Sequence, residues 1–410
     1  MTSRLLLFAF AATLALSQSS TNEHASGASG LDMQRLQTIR PRLQALVDSQ
    51  TIPGAVALVA RHGKVALLEA VGSRDIENRK PMQGDSIFQI MSMTKNFTGV
   101  AVMMLVEEGK IDLRRPVEDY LPEFRGIQIE EHRMGPGYVH PPLHPPKLWQ
   151  LMNHTSGLGD DPEGEMADNP RTMRVPLADA VRFYAHTHLQ FEPGARWSYS
   201  NMGISTLGHL VEVISGEDYV HFLRTHILDP LGMKDSFIFP PDDKKDRIAL
   251  VYKHADGKLV RSGAEILAGD AAKYRQGARY PAPEFGLYST APDLAKFYQM
   301  LLNGGEYEGR RYLSRQAVAT MTRVFTPDVK PSGWMGGGTG YGLTFEIVKD
   351  PEGTLLMHSP GTFGHGGAFG TQGWIDPKND LISIMLVQVS DGDADEPRSV
   401  VMQIGEAAVE

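Results

Sequence analysis

Two residues at helical spacing, Ser92 and Lys95, could generate a serine nucleophile. They form the only Ser-x-x-Lys in the chain, and an apolar run from Met93 to Gly109 predicts a buried helix over 93–108. Ser92 would then lie at the start of this helix, with Lys95 one turn further along the same face. Burial lowers the pKa of a lysine, so that its amine can accept the proton of a serine hydroxyl. The alternative is a capping serine beside a lysine that reaches back to water.

A second segment places Tyr199 and Asn201 in a tight loop before a helix predicted over 203–215. A tyrosine beside Lys95 could shuttle a proton in a hydrolytic reaction. Asn201 could hydrogen-bond both a lysine and a substrate amide. The alternative is an aromatic side chain that anchors the loop, followed by an asparagine that caps the helix.

A third segment, His365-Gly366-Gly367-Ala368, precedes a predicted strand that contains Trp374. Glycines in a strand let a ligand or another backbone approach closely. His365 would present a polar group able to carry a positive charge at the edge of the site, and the Ala368 N–H could stabilise an oxyanion. The alternative is a glycine-rich bulge with a structural histidine.

The two ends of the chain have the pattern of one antiparallel sheet flanked by helices. The predicted strands are 55–61, 64–71, 342–348, 354–358, 370–375 and 381–389, and helices are predicted over 31–47 and 396–409. The middle predicts helices at 93–108, 178–190, 203–215, 217–227, 291–303 and 314–322. The fold class is therefore α/β (α+β). We expect a sheet domain of residues 31–115 and 285–410, a mainly helical domain of residues 116–284 inserted into it, and a site between them.

The first thirty residues predict export rather than part of the fold. Arg4 is followed by an apolar run, Leu5 to Leu16, and cleavage after Ser17 fits the small residues there. The run is shorter than the ~20 residues that span a bilayer. We therefore expect a signal peptide over 1–17, a flexible leader over 18–30, and a periplasmic or extracellular protein. An uncleaved anchor or a buried N-terminal helix is the alternative.

Composition narrows the classes of function. Lys plus Arg is 40 and Asp plus Glu is 49, which gives a net charge of 40 − 49 = −9, and no basic run predicts nucleic-acid binding. The absence of cysteine excludes disulfides, iron–sulfur clusters and thiol catalysis. No Gly-x-Ser-x-Gly, His-Glu-x-x-His or phosphate-binding glycine loop occurs. No metal or cofactor is expected, since the remaining histidine pairs are more typical of surface loops: His186 with His188, and His140 with His144.

The order Ser-x-x-Lys, Tyr-x-Asn and His-Gly-Gly resembles the serine β-lactamase and penicillin-binding-protein superfamily. The likeness runs over about residues 50 to 390 and is greatest for the class C β-lactamase, DD-peptidase and family VIII esterase branch. Further matching segments are Pro53-Gly54, His154-Thr155-Ser156-Gly157-Leu158, Pro193-Gly194, Phe285 to Leu294 and Gly373-Trp374-Ile375-Asp376-Pro377. The resemblance implies a β-lactamase-like fold.

The resemblance also implies a role for each motif residue. Ser92 matches the acylated serine, Lys95 the motif lysine, Tyr199 the proton-shuttling tyrosine and Asn201 the ligand of the substrate amide. In the third motif His365 matches the charged group, Gly366 and Gly367 continue the motif, and the N–H groups of Ser92 and Ala368 match the oxyanion hole. Gly366 stands where many relatives have a threonine that helps to bind a carboxylate. The absence of this threonine weakens the interpretation of the protein as a β-lactamase or a DD-carboxypeptidase.

The expected function is a secreted serine hydrolase that cleaves carboxylic esters with small acyl groups through an acyl-serine. β-Lactamase, DD-carboxypeptidase and D-amino-acid peptidase activities are alternatives with the same chemistry. A cell-wall-binding protein that keeps the pocket without turnover is the non-enzymatic alternative. Whether Lys95 or Tyr199 is the principal base stays open in the sequence.

Overall fold

The computed structural model describes residues 30–131, 137–162, 164, 169–263, 277–326, 338–354, 357–391 and 395–410. The predicted signal peptide over 1–17 lies outside these residues, as does the predicted leader over 18–30 except for Gly30. None of the helices in the described ranges is long and apolar enough to cross a membrane.

The main sheet has eight strands, and each neighbouring pair is antiparallel. The strands of the described residues are β1 Gly54–Arg61, β2 Lys64–Asp75, β3 Lys80–Pro81, β4 Phe88–Gln89, β5 Ile129–Glu130, β6 Val139–His140, β7 Tyr252–Ala255, β8 Lys258–Arg261, β9 Tyr288–Ser289, β10 Glu306–Tyr307, β11 Arg310–Arg311, β12 Thr339–Tyr341, β13 Glu346–Val348, β14 Phe363–Gly366, β15 Gln372–Asp376 and β16 Leu381–Leu386. The strand order β12-β13-β14-β15-β16-β1-β2-β3 joins the two chain ends at the pair β16–β1.

Alternate residues of β1 face two different hydrophobic cores, which explains why the strand is apolar almost throughout. Val56, Leu58 and Ala60 pack into the larger core with the central helices. Ala55 and Val59 face the opposite core, which the terminal helices cover. Because side chains alternate across a strand, a sheet buried on both faces needs this continuous apolar sequence.

Helices cover both faces of the sheet. In the described ranges they are α1 Met33–Gln37, α2 Ile39–Asp48, α3 Thr94–Glu107, α4 Leu148–Met152, α5 Asn169–Thr172, α6 Leu177–Ala185, α7 Asn201–Ser215, α8 Tyr219–Leu223, α9 Ala291–Leu302, α10 Arg315–Met321, α11 Pro351–Thr354 and α12 Asp395–Ala407. A π-helical turn follows at Arg224–Leu228, and 3-10 turns lie at Met91–Met93, Val117–Asp119, Pro122–Phe124 and Asp242–Arg247. Helices α3 and α7 pack against each other and position the candidate site.

The antiparallel sheet built from both chain ends and flanked by helices is confirmed. The hairpin predicted at His62-Gly63 is also confirmed, and both residues have the positive φ, 52° and 72°, that a tight hairpin turn needs. The boundaries at residues 115/116 and 284/285 between the two domains stay predictions.

Two predicted elements are wrong. The strand predicted over 354–358 does not form at Thr354, Met357 or His358, while residues 355–356 lie outside the described ranges; β13 pairs instead with β14. Asp350 accepts the backbone N–H of Glu352, and Pro351 starts α11, an arrangement typical of a helix N-terminus. The single helix predicted over 31–47 is divided at Thr38, because Pro41 in the first turn of α2 has no N–H to continue the ladder.

Candidate active site

Ser92 lies in the tight turn that leads from β4 into α3. The preceding residue, Met91, has a φ of 50°, a left-handed conformation that is strained for a side chain of its size. The backbone N–H of Ile90 donates to the carbonyl of Leu287 and so ties this turn to the segment before β9. The sequence pattern predicted the helix that follows but not the strained turn before it.

Lys95 is fully buried in α3, and three oxygen atoms surround its Nζ. The distances are 3.1 Å to Ser92 Oγ, 2.8 Å to Asn201 Oδ1 and 2.8 Å to the backbone carbonyl of Glu284. Burial lowers the pKa of Lys95 from 10.5 to about 8, while the neighbouring carboxyl groups act in the opposite direction. The alternative in which this lysine reaches back to water is therefore wrong.

Asn201 is the first residue of α7, and its two amide atoms point to different partners. Its Oδ1 accepts from Lys95, and its Nδ2 donates to Asp161 Oδ1 at 3.1 Å. Its backbone N–H donates to Asp160 Oδ1 at 3.2 Å. The alternative in which Asn201 caps the helix is wrong, because Ser200 is the cap and accepts the N–H of Gly203 at 2.9 Å.

Tyr199 lies against both Lys95 and His154. The Lys95 Nζ is 4.7 Å from the centre of the Tyr199 ring, and the centres of the Tyr199 and His154 rings are 4.5 Å apart. Burial raises the pKa of Tyr199 well above 10, although its hydrogen bond with the Ser92 side chain acts in the opposite direction. Near neutral pH the hydroxyl of Tyr199 is therefore protonated.

His365, which the sequence left able to carry a positive charge, is a buried neutral ring. It lies in β14, is 1% exposed, and both of its ring nitrogens are held by neighbours. Nε2 is 3.0 Å from the Tyr341 hydroxyl, and Nδ1 is 2.6 Å from the carbonyl oxygen of Gly366. Burial, and then the charge of Lys95, lower the pKa of His365 to about 3. His365 is therefore neutral near pH 7 rather than partly charged, because burial leaves little solvent to stabilise the charge.

Gly367 brings the end of β14 against the turn that carries Ser92. A Cβ on this residue would lie 2.1 Å from Thr371 Oγ1 and 2.4 Å from the carbonyl oxygen of Ile90. Ala368 follows directly in the exposed turn after β14. Gly366 is less constrained, since its Cβ would meet only the side chain of Gln372, at 2.8 Å. The three motifs of the sequence are thus brought together around Ser92.

Three residues of the site, His154, Tyr341 and Glu284, were not predicted from the sequence as site residues. His154 was noted only as part of a segment that matches the superfamily, and Tyr341 and Glu284 lie in none of the three motifs. Glu284 is buried, and its Oε1 accepts from the Tyr280 hydroxyl at 2.7 Å. Burial raises its pKa from 4.5 to about 7. Its carbonyl contact with Lys95 depends on the backbone path, for which the sequence offers no signal.

Two of the histidines considered as metal ligands face acidic side chains. His188 faces Glu130 and His140 faces Glu131, each at 3.6 Å. Within the part of the chain that the structure describes, no group of three or more histidine and acidic side chains could hold a metal ion.

A family model described as Beta-lactamase matches residues 39–404, and the chain therefore belongs to this family. Protein Rv1367c of Mycobacterium tuberculosis (strain ATCC 25618 / H37Rv) is 31% identical over 367 residues, covering 84% of this chain and 88% of that protein. Esterase EstB of Burkholderia gladioli is 27% identical over 384 residues, covering 86% and 91% respectively.

Solved structures show the same fold. The hydrolase EstCE1, described as having promiscuous acyltransferase activity, superimposes with a TM-score of 0.77 and 25% identity over 92% of this chain and 99% of that one. Simvastatin synthase from Aspergillus terreus, at 22% identity, superimposes with a TM-score of 0.73 over 91% and 97%. The protein is a serine hydrolase with a β-lactamase-like fold.

Proposed function

We propose that the protein is an esterase that forms an acyl intermediate on Ser92, with Lys95 as the base. The observation that carries the proposal is the set of contacts around Lys95 Nζ. A neutral amine has two N–H donors and one lone pair, and the carbonyl oxygens of Asn201 and Glu284 can only accept. Both N–H groups are therefore directed to these oxygens, and the lone pair is directed to the third neighbour, Ser92 Oγ at 3.1 Å.

The proton of Ser92 passes to Lys95 as Oγ attacks the ester carbonyl. Tyr199 is protonated near neutral pH, so its hydroxyl donates to the oxygen of the departing alcohol. The Tyr199 phenolate then recovers a proton from Lys95, which lies against its ring. Water then attacks the acyl-serine by the same steps in reverse. At each step the proton that one group releases is accepted by another.

The N–H groups of Ser92 and Ala368 would bind the oxyanion that forms on the carbonyl oxygen. The close approach of Gly367 to Ile90 supports this assignment, because it holds the turn of Ala368 beside the turn of Ser92. Asn201 and Gly366 would contact the bound substrate, and His365 would lie behind them as a buried ring.

Esters are favoured over carboxylate-bearing substrates because the third motif offers a carboxylate neither a cation nor a hydroxyl. His365 is neutral, and Gly366 has no hydroxyl to donate. The similarity to esterase EstB and to EstCE1 supports this preference. Relatives in Salmonella named putative D-alanyl-D-alanine carboxypeptidase, at 25% identity, keep peptidase activity as the second candidate.

A side-by-side assay of p-nitrophenyl butyrate, nitrocefin and a D-alanyl-D-alanine peptide tests the proposal. We expect kcat/KM for the ester to exceed that for nitrocefin by at least about tenfold, which corresponds to ~1.4 kcal/mol. Ser92→Ala is the matched control for background hydrolysis. Equal or faster turnover of nitrocefin or of the peptide would replace the esterase assignment by the corresponding alternative.

Export is also part of the proposal, and it rests on residues 1–17 alone. Expression of the full chain with cell fractionation tests it, together with sequencing of the mature N-terminus. A mature chain that begins after Ser17 in the exported fraction is expected, and retention of Met1 in the cytoplasm would contradict it.

A further inference from the structure

A chain of four hydrogen bonds connects the start of α7 to β14 through three buried side chains. The backbone N–H of Ser200 donates to His154 Nδ1 at 3.1 Å, and His154 Nε2 lies 3.0 Å from the Tyr341 hydroxyl. The same hydroxyl is 3.0 Å from His365 Nε2, and His365 Nδ1 is 2.6 Å from the Gly366 carbonyl. His154 and Tyr341 are fully buried, and His365 is nearly so.

The two ends of this chain determine the position of every proton in it. The backbone N–H of Ser200 can only donate, so His154 Nδ1 accepts and His154 Nε2 carries the hydrogen. The Gly366 carbonyl can only accept, so His365 Nδ1 carries the hydrogen and His365 Nε2 accepts. The Tyr341 hydroxyl therefore accepts from His154 and donates to His365.

A proton added to His365 would have to bind at Nε2, where it meets the Tyr341 hydroxyl. That hydroxyl would then face N–H donors from both histidines and would have to turn its own hydrogen away from each of them. Because Tyr341 is fully buried, bulk water cannot accept this hydrogen. The hydroxyl would lose a buried hydrogen bond, which lowers the stability of the protonated state. Tyr341 thus opposes a charge on His365 through geometry as well as burial.

We propose that Tyr341 is a specificity-determining residue that holds His365 as a neutral ring and so denies carboxylate-bearing substrates a cation beside Ser92. This proposal rests on the proposed function, because it requires the space beside Ser92 to bind the substrate.

The other groups that face His365 do not favour a positive charge on it. Glu346 on β13 lies 3.6 Å from Nδ1, but burial raises its pKa to about 8, so that it is mostly uncharged near neutral pH. Lys95 on α3 acts on His365 through its charge, and the centre of the Tyr199 ring is 6.3 Å from that of His365. Any positive charge on Lys95 repels one on His365.

Tyr341→Phe tests the proposal, because it keeps the ring and removes only the hydroxyl. NMR of ring-labelled histidine follows the titration of His365, and its signal is assigned by its loss in His365→Gln. We expect wild-type His365 not to titrate above pH 5, and the Tyr341→Phe ring to titrate between about 5 and 6.5, the latter being the ordinary value. No titration above pH 5 in the variant would overturn the proposal.

A matched pair of serine-directed inhibitors measures the effect on recognition. Phenylboronic acid and 3-carboxyphenylboronic acid differ only in the carboxylate, and the ratio of their inhibition constants cancels general effects on Ser92. In Tyr341→Phe at pH 5.5 we expect the ratio to shift towards the carboxylate by at least about tenfold, the low end for a charged hydrogen bond, and to return to the wild-type value at pH 8. An unchanged ratio at pH 5.5 would also overturn the proposal.

Two further variants separate this effect from disruption of the fold. Tyr298→Phe removes another buried hydroxyl, which has no hydrogen-bond partner among the described residues, and should keep the wild-type ratio. His154→Asn removes the second donor to Tyr341, lets that hydroxyl accept from His365, and should also raise the pKa of His365. Asparagine suits the φ of 61° at this position, so this variant decides the question if Tyr341→Phe does not fold.

The two experiments also distinguish failure of the inference from failure of the proposed function. The NMR titration requires no turnover and tests the effect of Tyr341 on His365 independently of enzyme activity. If wild-type protein neither binds phenylboronic acid nor hydrolyses any ester, the proposed function fails while the titration still decides the role of Tyr341.

Discussion

Gly367→Ala should damage catalysis far more than its size suggests, because the methyl group would enter the contact between β14 and the nucleophile turn. The new Cβ would lie 2.4 Å from the carbonyl oxygen of Ile90, whereas ordinary contacts begin at 3.4 Å. The two segments must therefore separate by about 3.4 − 2.4 = 1.0 Å at this point. Ala368 follows Gly367 directly and would move away from Ser92.

A displacement of this size predicts a large fall in kcat. Misplacement of a catalytic group by ~1 Å costs about 10²-fold, and removal of one oxyanion donor costs about 10²–10³-fold. We expect kcat for p-nitrophenyl butyrate to fall by about 10²-fold or more, with active sites counted by a fluorophosphonate titration. KM should change less, because the oxyanion contacts act mainly in the transition state.

Gly54→Ala is the matched control, since it introduces a similar overlap at the start of β1. Its Cβ would lie 2.6 Å from the carbonyl oxygen of Val71, in the pair β1–β2 rather than at the turn of Ser92. We expect this variant to lower Tm while kcat per titrated site stays near the wild-type value. A Gly367→Ala variant with kcat within about threefold of wild type, or a Gly54→Ala variant with an equal loss per site, would refute the reasoning.

Three further predictions concern protons at the site. Tyr199→Phe should lower kcat for esters by about 10²–10⁴-fold with little change in KM, and an unchanged kcat would assign the proton transfer to another group. The pH profile of kcat/KM should rise as Lys95 loses its proton, with an apparent pKa near 8 and no inflection from His365 near 6.5; a rise centred near 10 would contradict the burial argument. Between pH 4.5 and 8 the carboxyl of Glu346 keeps its proton in the folded protein but loses it in the unfolded chain, so the wild-type protein loses stability as the pH rises. Glu346→Gln should therefore become more stable relative to wild type across this range, by at most about 1.4 kcal/mol per pH unit. A Tm difference between the two proteins that is constant with pH would argue against a raised pKa.

The sequence supports the sheet and the helices where local pattern and burial agree. Strand β1 is apolar because it is buried on both faces, and the positive φ values at His62 and Gly63 suit the residues found there. The strand predicted over 354–358 failed because a few apolar residues resemble a strand, while Asp350 and Pro351 begin a helix just before them. Short elements are decided by capping and pairing as much as by hydrophobicity.

Some features of the site likewise follow from the local sequence, and others do not. The helix that places Lys95 one turn beyond Ser92 follows from spacing, and its burial follows from an apolar run. The neutral state of His365 does not follow from spacing, because it depends on burial, on the charge of Lys95 and on the hydrogen bond with Tyr341 in β12. The Glu284 carbonyl that directs Lys95 is likewise a matter of backbone path, which residue type does not encode.

The proposed function requires Ser92 to carry the acyl group during ester hydrolysis. The most direct test mixes the enzyme with p-nitrophenyl butyrate, quenches in acid within the first turnover, and locates the adduct by intact mass and peptide mapping. We expect one butyryl group on the peptide containing Ser92 and no adduct in Ser92→Ala. An adduct on another residue, or ester turnover by Ser92→Ala above about a tenth of the wild-type rate, would contradict it.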